Sequence, residues 1–333
     1  MPARRLQTPL IFVDGLPGTG KSTMAQLLFL HLKRLGYEAA WFHEEEQPHP
    51  LHQPPEAMSQ KPLSLEDGLK KWQDLADGLV GKGRTLLLDA SIFQNTIGWL
   101  LAMGYDKAQM NAYDQKRREV LAALNPMLIY LRHERVKDDM LHLFQERGGE
   151  WEQLMTERIS ATPYGATISH DLNGLLHYYR HLQKITDHLY RSWPWLKCSL
   201  LAGQWAEGQR QITECLALPP FKEVFALPEA TEQWVGSYRE IRDGFAWHLA
   251  YDADGFYIDD ASKTFLRYKD GQTYYASGSC IQLTFARDKN SGAITMTCGG
   301  NTLAGKVLAL SGRRLIRRDC RSDDVSNGLM NDA

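Results

Sequence analysis

Gly15, Leu16, Pro17, Gly18, Thr19, Gly20, Lys21, Ser22 and Thr23 satisfy the pattern GxxxxGK[ST] in full. Average residue usage puts a chance match in a chain of this length at roughly 1%. The setting is the one the physics requires. A strand-like run, Leu10–Asp14, precedes the motif, and a helical run with Met24, Leu27, Leu28, Leu32 and Leu35 on one face follows it. Glycines let the backbone curl so that several N–H groups face one phosphate chain. The helix N-terminus adds partial positive charge at the same point. In such a loop Lys21 reaches the β- and γ-phosphates, and the Ser22 hydroxyl ligates Mg²⁺. ATP and Mg²⁺ are therefore the expected ligands.

The rest of the chain has two textures. Residues 9–218 alternate short apolar runs with long helical patterns, as βαβ units with a parallel sheet do. Strands are expected at Leu10–Asp14, Ala39–His43, Thr85–Asp89, Met127–Leu131 and Lys197–Leu201. Residues 44–64 are rich in Pro, His, Gln and Glu and read as a long loop of the kind that carries function. Residues 219–231 read as a linker, with prolines at 219, 220 and 228. From Trp234 onward the chain alternates apolar and polar residues between turn signals such as Asp270-Gly271. Residues 232–320 are expected to form a small antiparallel β-barrel, and residues 321–333 a flexible tail.

Charge narrows the function classes. There are 38 Lys+Arg against 40 Asp+Glu, a balance that gives no support to nucleic-acid or membrane-surface binding. No apolar run approaches the roughly 18 residues of a membrane span, and the one near the N-terminus stops at Asp14. Five cysteines without a CxxC spacing argue against zinc clusters and a disulfide framework. A reducing, cytoplasmic setting is expected.

Three further places extend the motif into a resemblance. The first is Leu35-Gly36-Tyr37-Glu38 and the acidic strand end Trp41-Phe42-His43-Glu44-Glu45-Glu46-Gln47-Pro48. The second is Leu88-Asp89-Ala90-Ser91-Ile92-Phe93-Gln94-Asn95. The third is Leu128–Leu131, leading into a helix that ends Glu146-Arg147-Gly148-Gly149-Glu150. With these, residues 8–218 resemble the P-loop kinase family, nearest its deoxynucleoside and thymidylate kinase branch. The resemblance implies a P-loop NTPase three-layer α/β sandwich with about five parallel strands. It also implies a carboxylate beside the phosphate acceptor and an arginine-bearing lid. Ala90 stands where the family commonly has arginine, and Gln47 stretches the acidic-proline pair. Trp234–Tyr238, Tyr274–Phe285 and the Asp288–Ile294 segment look like the small lipocalin-like domain appended to some serine hydrolases. No Ser-x-x-Lys in a hydrolase context precedes them, so the domain is expected to be an accessory or interaction module.

Each candidate residue has a bland alternative. Asp89 ends a run of three leucines and would hold the Mg²⁺ shell or accept the acceptor proton; otherwise it is a turn or capping residue. Glu44 is the first choice for the acceptor carboxylate among Glu44, Glu45 and Glu46; otherwise the run is a solvated charge cluster. His43, His49 and His52 lack a regular metal scaffold. Gln94 and Asn95 either contact a polar acceptor or cap a helix. Arg132, Arg135, Arg147 and Arg158 flank the lid. Arg147, beside two glycines, is the one expected to neutralise transition-state charge. Tyr178, Tyr179, Trp193 and Trp195 read as core. Arg313, Arg314, Arg317 and Arg318 read as a solvated strand edge rather than an anion site. The expected activity is transfer of the ATP γ-phosphoryl group to a small polar acceptor. The alternative is a regulatory ATPase switch acting through the β domain. In a third reading the barrel binds a small apolar ligand.

Overall fold

A computed structural model describes residues 6–46, 49–51, 64–221, 231–240, 245–252, 255–260, 263–289, 292–299 and 314–318. The chain divides into two units, Met1–Lys222 and Glu223–Ala333. Residues 222–230 of the expected linker, the expected tail, Gln47, Pro48, His52 and Arg313 lie outside the described residues.

The alternation across residues 9–218 becomes a five-stranded, all-parallel sheet in the order β2-β3-β1-β4-β5. The strands are β1 (Leu10–Gly15), β2 (Ala39–Phe42), β3 (Thr85–Asp89), β4 (Met127–Arg132) and β5 (Lys197–Leu201). Between and after them run α1 (Lys21–Arg34), α2 (Leu65–Leu79), α3 (Gly98–Ala102), α4 (Lys107–Leu121), α5 (Val136–Arg147), α6 (Gly149–Ser160), α7 (Leu172–Arg191) and α8 (Trp205–Cys215). β1 is central and buried throughout, which is why its residues read as a continuous apolar run. Leu10 and Phe12 enter a core with Trp72 of α2, Tyr113 of α4, Leu182 of α7 and Trp193. Phe12 meets Trp72 and Trp193 edge-on, with ring centroids 5.8 and 6.2 Å away. Ile11 and Val13 alternate to the opposite face, where α1 and α8 pack. The chain leaves β1 towards β2 and leaves β4 towards β5, in opposite directions. A crevice for ligands therefore opens at the carboxyl ends of these neighbouring strands.

The second unit is a closed antiparallel barrel of eight strands in meander order. They are β6 (Gly236–Arg239), β7 (Ala246–Asp252), β8 (Gly255–Ile258), β9 (Thr264–Asp270), β10 (Thr273–Ala276), β11 (Gln282–Arg287), β12 (Ile294–Gly299) and β13 (Arg314–Arg318). β13 returns to β6 with Ile316 opposite Arg239, so pairing closes the ring. An eight-stranded barrel is just wide enough for side chains to fill. Here Phe285 occupies the interior against Trp234, Tyr238, Phe256 and Tyr274, at centroid distances of 5.3 to 5.9 Å. The described interior is packed by aromatic rings, which counts against the apolar-ligand reading. Arg317 donates to the carbonyls of Gln233 and Val235, so it is a strut within the fold. Phe285→Ala should destabilise this unit by about 3–5 kcal/mol. Urea unfolding followed by the near-UV signal of the barrel tests this. A change under 1 kcal/mol, well below the roughly 3 kcal/mol of a buried Phe→Ala, would mean Phe285 is not the keystone.

No described helix is long and apolar enough to cross a membrane.

Candidate active site

The loop Gly15–Thr23 connects the buried end of β1 to α1. Gly20 takes φ 83° and ψ 17°, and Gly18 takes φ 80°, both in the left-handed region that glycine adopts without strain. A Cβ on Gly20 would stand 2.2 Å from Cη2 of Trp205, and one on Gly18 would stand 2.8 Å from Cδ2 of Leu143. Thr19 bends its hydroxyl back to the Leu16 carbonyl, 2.8 Å away, tightening the loop. Helices α2, α4 and α7 begin with a Ser64, Asp106 or Asp171 side-chain cap. α1 has no such cap and no acidic residue in its first turn, so the helix itself supplies nothing that offsets the partial positive charge of its N-terminus.

Opposite this loop stand the ends of β2 and β3. Lys21, almost wholly buried, points its ammonium at Glu44, with Nζ 3.7 Å from Oε1. The other Glu44 oxygen accepts from Gln94 Nε2 at 2.7 Å and Asn95 Nδ2 at 3.2 Å. Consecutive residues on an α-helix point about 100° apart, so this double grip needs special backbone. Residues Phe93–Ile97 supply it as a π-helical turn, a form that recurs at functional positions. Ala90, fully buried, begins that segment in the left-handed region at φ 52°.

Asp14 fastens the two halves of the site together. Its buried carboxylate accepts from the backbone N–H groups of Gly15, Ile92, Phe93 and Gln94, at 2.8 to 3.0 Å. Burial pushes its pKa up, while these four bonds pull it down. From behind, the fully buried Arg117 donates to the Ile92 carbonyl at 3.0 Å and pairs with Asp114. His133 binds the Pro17 carbonyl through Nε2 at 2.9 Å, holding the loop from the β4 side. Burial lowers its pKa, which favours the neutral ring donating from Nε2. Asp14→Ala would leave four N–H groups, three of them buried, without their acceptor. A loss of at least about 3 kcal/mol is expected by chemical denaturation; an unchanged midpoint would refute the fastening role.

Asp89 is the decisive group. It is fully buried, and apart from the Ser22 hydroxyl beside it neither carboxylate oxygen has a hydrogen-bond partner among the described residues. Burial pushes its pKa up to about 6. The charge of His43 pulls it down, Glu44 pushes it up, and the neighbouring Ser22 hydroxyl and Lys21 ammonium pull it down. The Asp89 carboxylate and the Ser22 hydroxyl are oxygen donors of the kind a hard cation takes, and the Lys21 ammonium beside them suits an anion that such a cation would accompany. Neither a scan against protein-family models nor a search of curated proteins finds a match for this chain. Among the described residues there is no cluster of three His, Cys, Asp or Glu side chains that could hold a metal by themselves.

The remaining candidates sort by position. Arg147 stacks on Trp151 at 4.5 Å; burial pushes the pKa of both Glu45 and Tyr179 up, and the Arg147 charge opposes that rise in each. Arg158 also acts on Tyr179. Both arginines therefore flank the Glu44 side of the crevice, and Tyr179 between them is a core residue, as its sequence reading expects. Arg135 instead forms an exposed pair with Asp138 at 3.4 Å. Arg132 acts on Tyr190. His43 is buried beside Trp41 and takes the Glu45 N–H on Nδ1 at 3.2 Å, so it shapes the acidic turn. His49 takes the Leu51 N–H in the same way, at 3.1 Å. Trp193 and Tyr178 are core residues.

Proposed function

We propose that the first unit is an ATP- and Mg²⁺-dependent phosphotransferase, of the P-loop kinase kind, acting on a small polar acceptor that carries a hydroxyl. The observation that carries this reading is Asp89: a fully buried carboxylate whose one hydrogen-bonding neighbour is the Ser22 hydroxyl, beside Lys21 and facing a second carboxylate, Glu44, held by two amides. A fold gains nothing from such an Asp89 unless a ligand uses it.

Charge supports the same reading. Glu44, Glu45 and Asp89 gather around Lys21, with Arg147 at the edge. A bare polyphosphate would be repelled by three carboxylates; one that brings a divalent cation would not. Ser22 and Asp89 would hold that Mg²⁺, which when bound neutralises charge on the phosphate oxygens. Lys21 turns from Glu44 to the β- and γ-phosphates, and the amides at the start of α1 orient them. Glu44 takes the acceptor hydroxyl proton as the new P–O bond forms and ADP departs. Gln94 and Asn95 keep the Glu44 carboxylate aimed during this step. Arg147, next to Gly148 at φ 85°, neutralises charge that develops on the transferred phosphoryl group.

The test is ADP release by the full chain with ATP and Mg²⁺, screened against nucleosides, nucleotides, sugars and amino-alcohols. Stimulation by one acceptor class, with loss of signal when Mg²⁺ is chelated, is the expected result. Basal hydrolysis that no acceptor stimulates would replace the kinase reading with the regulatory ATPase switch. Absence of ATP binding would remove both.

A further inference from the structure

Burial alternates along β5, so Cys198 and Leu200 point to the same face of the sheet. α8 covers that face, turning Gly208, Ile212 and Cys215 towards it at the i, i+4 and i+7 spacing. A Cβ on Gly208 would stand only 3.1 Å from Leu200 Cδ1, so the glycine allows the helix to lie close on the strand. Close packing carries the last turn of α8 back over Cys198, where the two thiols meet in an S–H···S hydrogen bond. Tyr190 of α7 lies near the same pair: burial pushes its pKa up, and both sulfurs add to the rise. Both cysteines are reduced, Cys198 buried and Cys215 half-buried.

We propose that Cys198 and Cys215 are a redox-active dithiol that closes to a disulfide, stapling the end of α8 to β5. The two thiols divide the work by exposure. Solvent and small disulfides reach Cys215, whereas Cys198 waits behind it. The bond from Cys198 pulls Cys215 down to about 7, against burial and the charge of Glu214, so much of it is thiolate at neutral pH. The same bond and burial push Cys198 up.

With oxidised glutathione as the oxidant, the Cys215 thiolate attacks one sulfur of its disulfide. A mixed disulfide forms and one glutathione thiolate leaves. Cys198 then gives its proton to solvent and attacks Cys215 Sγ, expelling the second glutathione. Two cysteine thiols are oxidised to one disulfide, and one glutathione disulfide is reduced to two thiols. α8 begins at Trp205, whose ring covers Gly20 of the Gly15–Thr23 loop, so the staple fixes an element that touches that loop. The redox chemistry itself does not depend on the phosphotransferase reading.

The full chain is treated with oxidised glutathione at neutral pH, alkylated and mapped without reduction. The expected result is one crosslink, between the peptides carrying Cys198 and Cys215, with Cys280 and Cys298 still alkylated as thiols after unfolding. In Cys198→Ser, Cys215 should stop at the glutathione adduct, and the pH midpoint of its alkylation should rise above the wild-type value. In Cys215→Ser, Cys198 should stay unmodified. A wild type whose Cys215 remains a thiol or halts at the adduct, or whose crosslink joins another cysteine, overturns the proposal.

Discussion

Glu44→Gln should lower acceptor-dependent turnover on the order of 10²–10⁴-fold, the usual weight of a positioned general base. The substitution is nearly isosteric, and the new amide oxygen can still accept from Gln94 and Asn95, which grip Glu44 at 2.7 and 3.2 Å. Fold and geometry should persist, so the loss is one of basicity. ATP affinity should not fall. Lys21 is paired with Glu44 at 3.7 Å and must leave it to meet a phosphate; removing the carboxylate charge releases the ammonium. A modest gain in ATP affinity, with kcat reduced and the acceptor KM little changed, is the pattern that separates a base from a binding residue. Turnover within threefold of wild type would assign Glu44 to holding Lys21 in place and nothing more.

The site shows which parts of a fold local sequence can reveal. The five parallel strands were legible because each is an apolar run bounded by helical periodicity, and β1 is buried on both faces. The glycine loop was legible because a backbone requirement at Gly18 and Gly20 writes itself into residue type. The barrel was legible from alternation and Asp-Gly turns, but not its filling. Interior rings such as Tyr238, Phe256, Tyr274 and Phe285 alternate as they would around a hollow space, and only their convergence makes them a packed core.

The residues that hold the site together were not legible. Arg117 lies in the run Lys116–Glu119, which reads as a solvated helix face; tertiary contact buries it against Asp114 and the Ile92 carbonyl. Gln94 and Asn95 reach one carboxylate through a π-helical turn that no short-range pattern announces. His133 and Trp205 act on the Gly15–Thr23 loop from strand ends far away in the chain. Asp14 did carry a signal: a charged residue at the last inward position of a buried strand must find several donors or a ligand.

Asp89→Asn should make the folded protein more stable at neutral pH while abolishing Mg²⁺-dependent binding and turnover. The sign follows from the raised pKa, about 6 in the fold against 3.8 for an ordinary aspartate. The folded state holds this proton more tightly than the unfolded state does. The stability it contributes is complete below pH 3.8 and is lost as pH rises through about 6. Above that point the fold carries an ionised, buried carboxylate with only the Ser22 hydroxyl to solvate it, at a cost of roughly 2–3 kcal/mol. Asparagine carries no such charge. It has its own buried amide to satisfy, so a net gain on the order of 1–2 kcal/mol is expected near pH 8, shrinking towards zero near pH 4. Urea midpoints of both proteins across that range test the stability arm, and ATP affinity with and without Mg²⁺ tests the functional one. A structural capping residue would behave in the opposite way, losing stability on substitution at every pH. Stability gained together with function lost is the mark of a group kept for its ligand, because selection retains such a charge only where binding uses it.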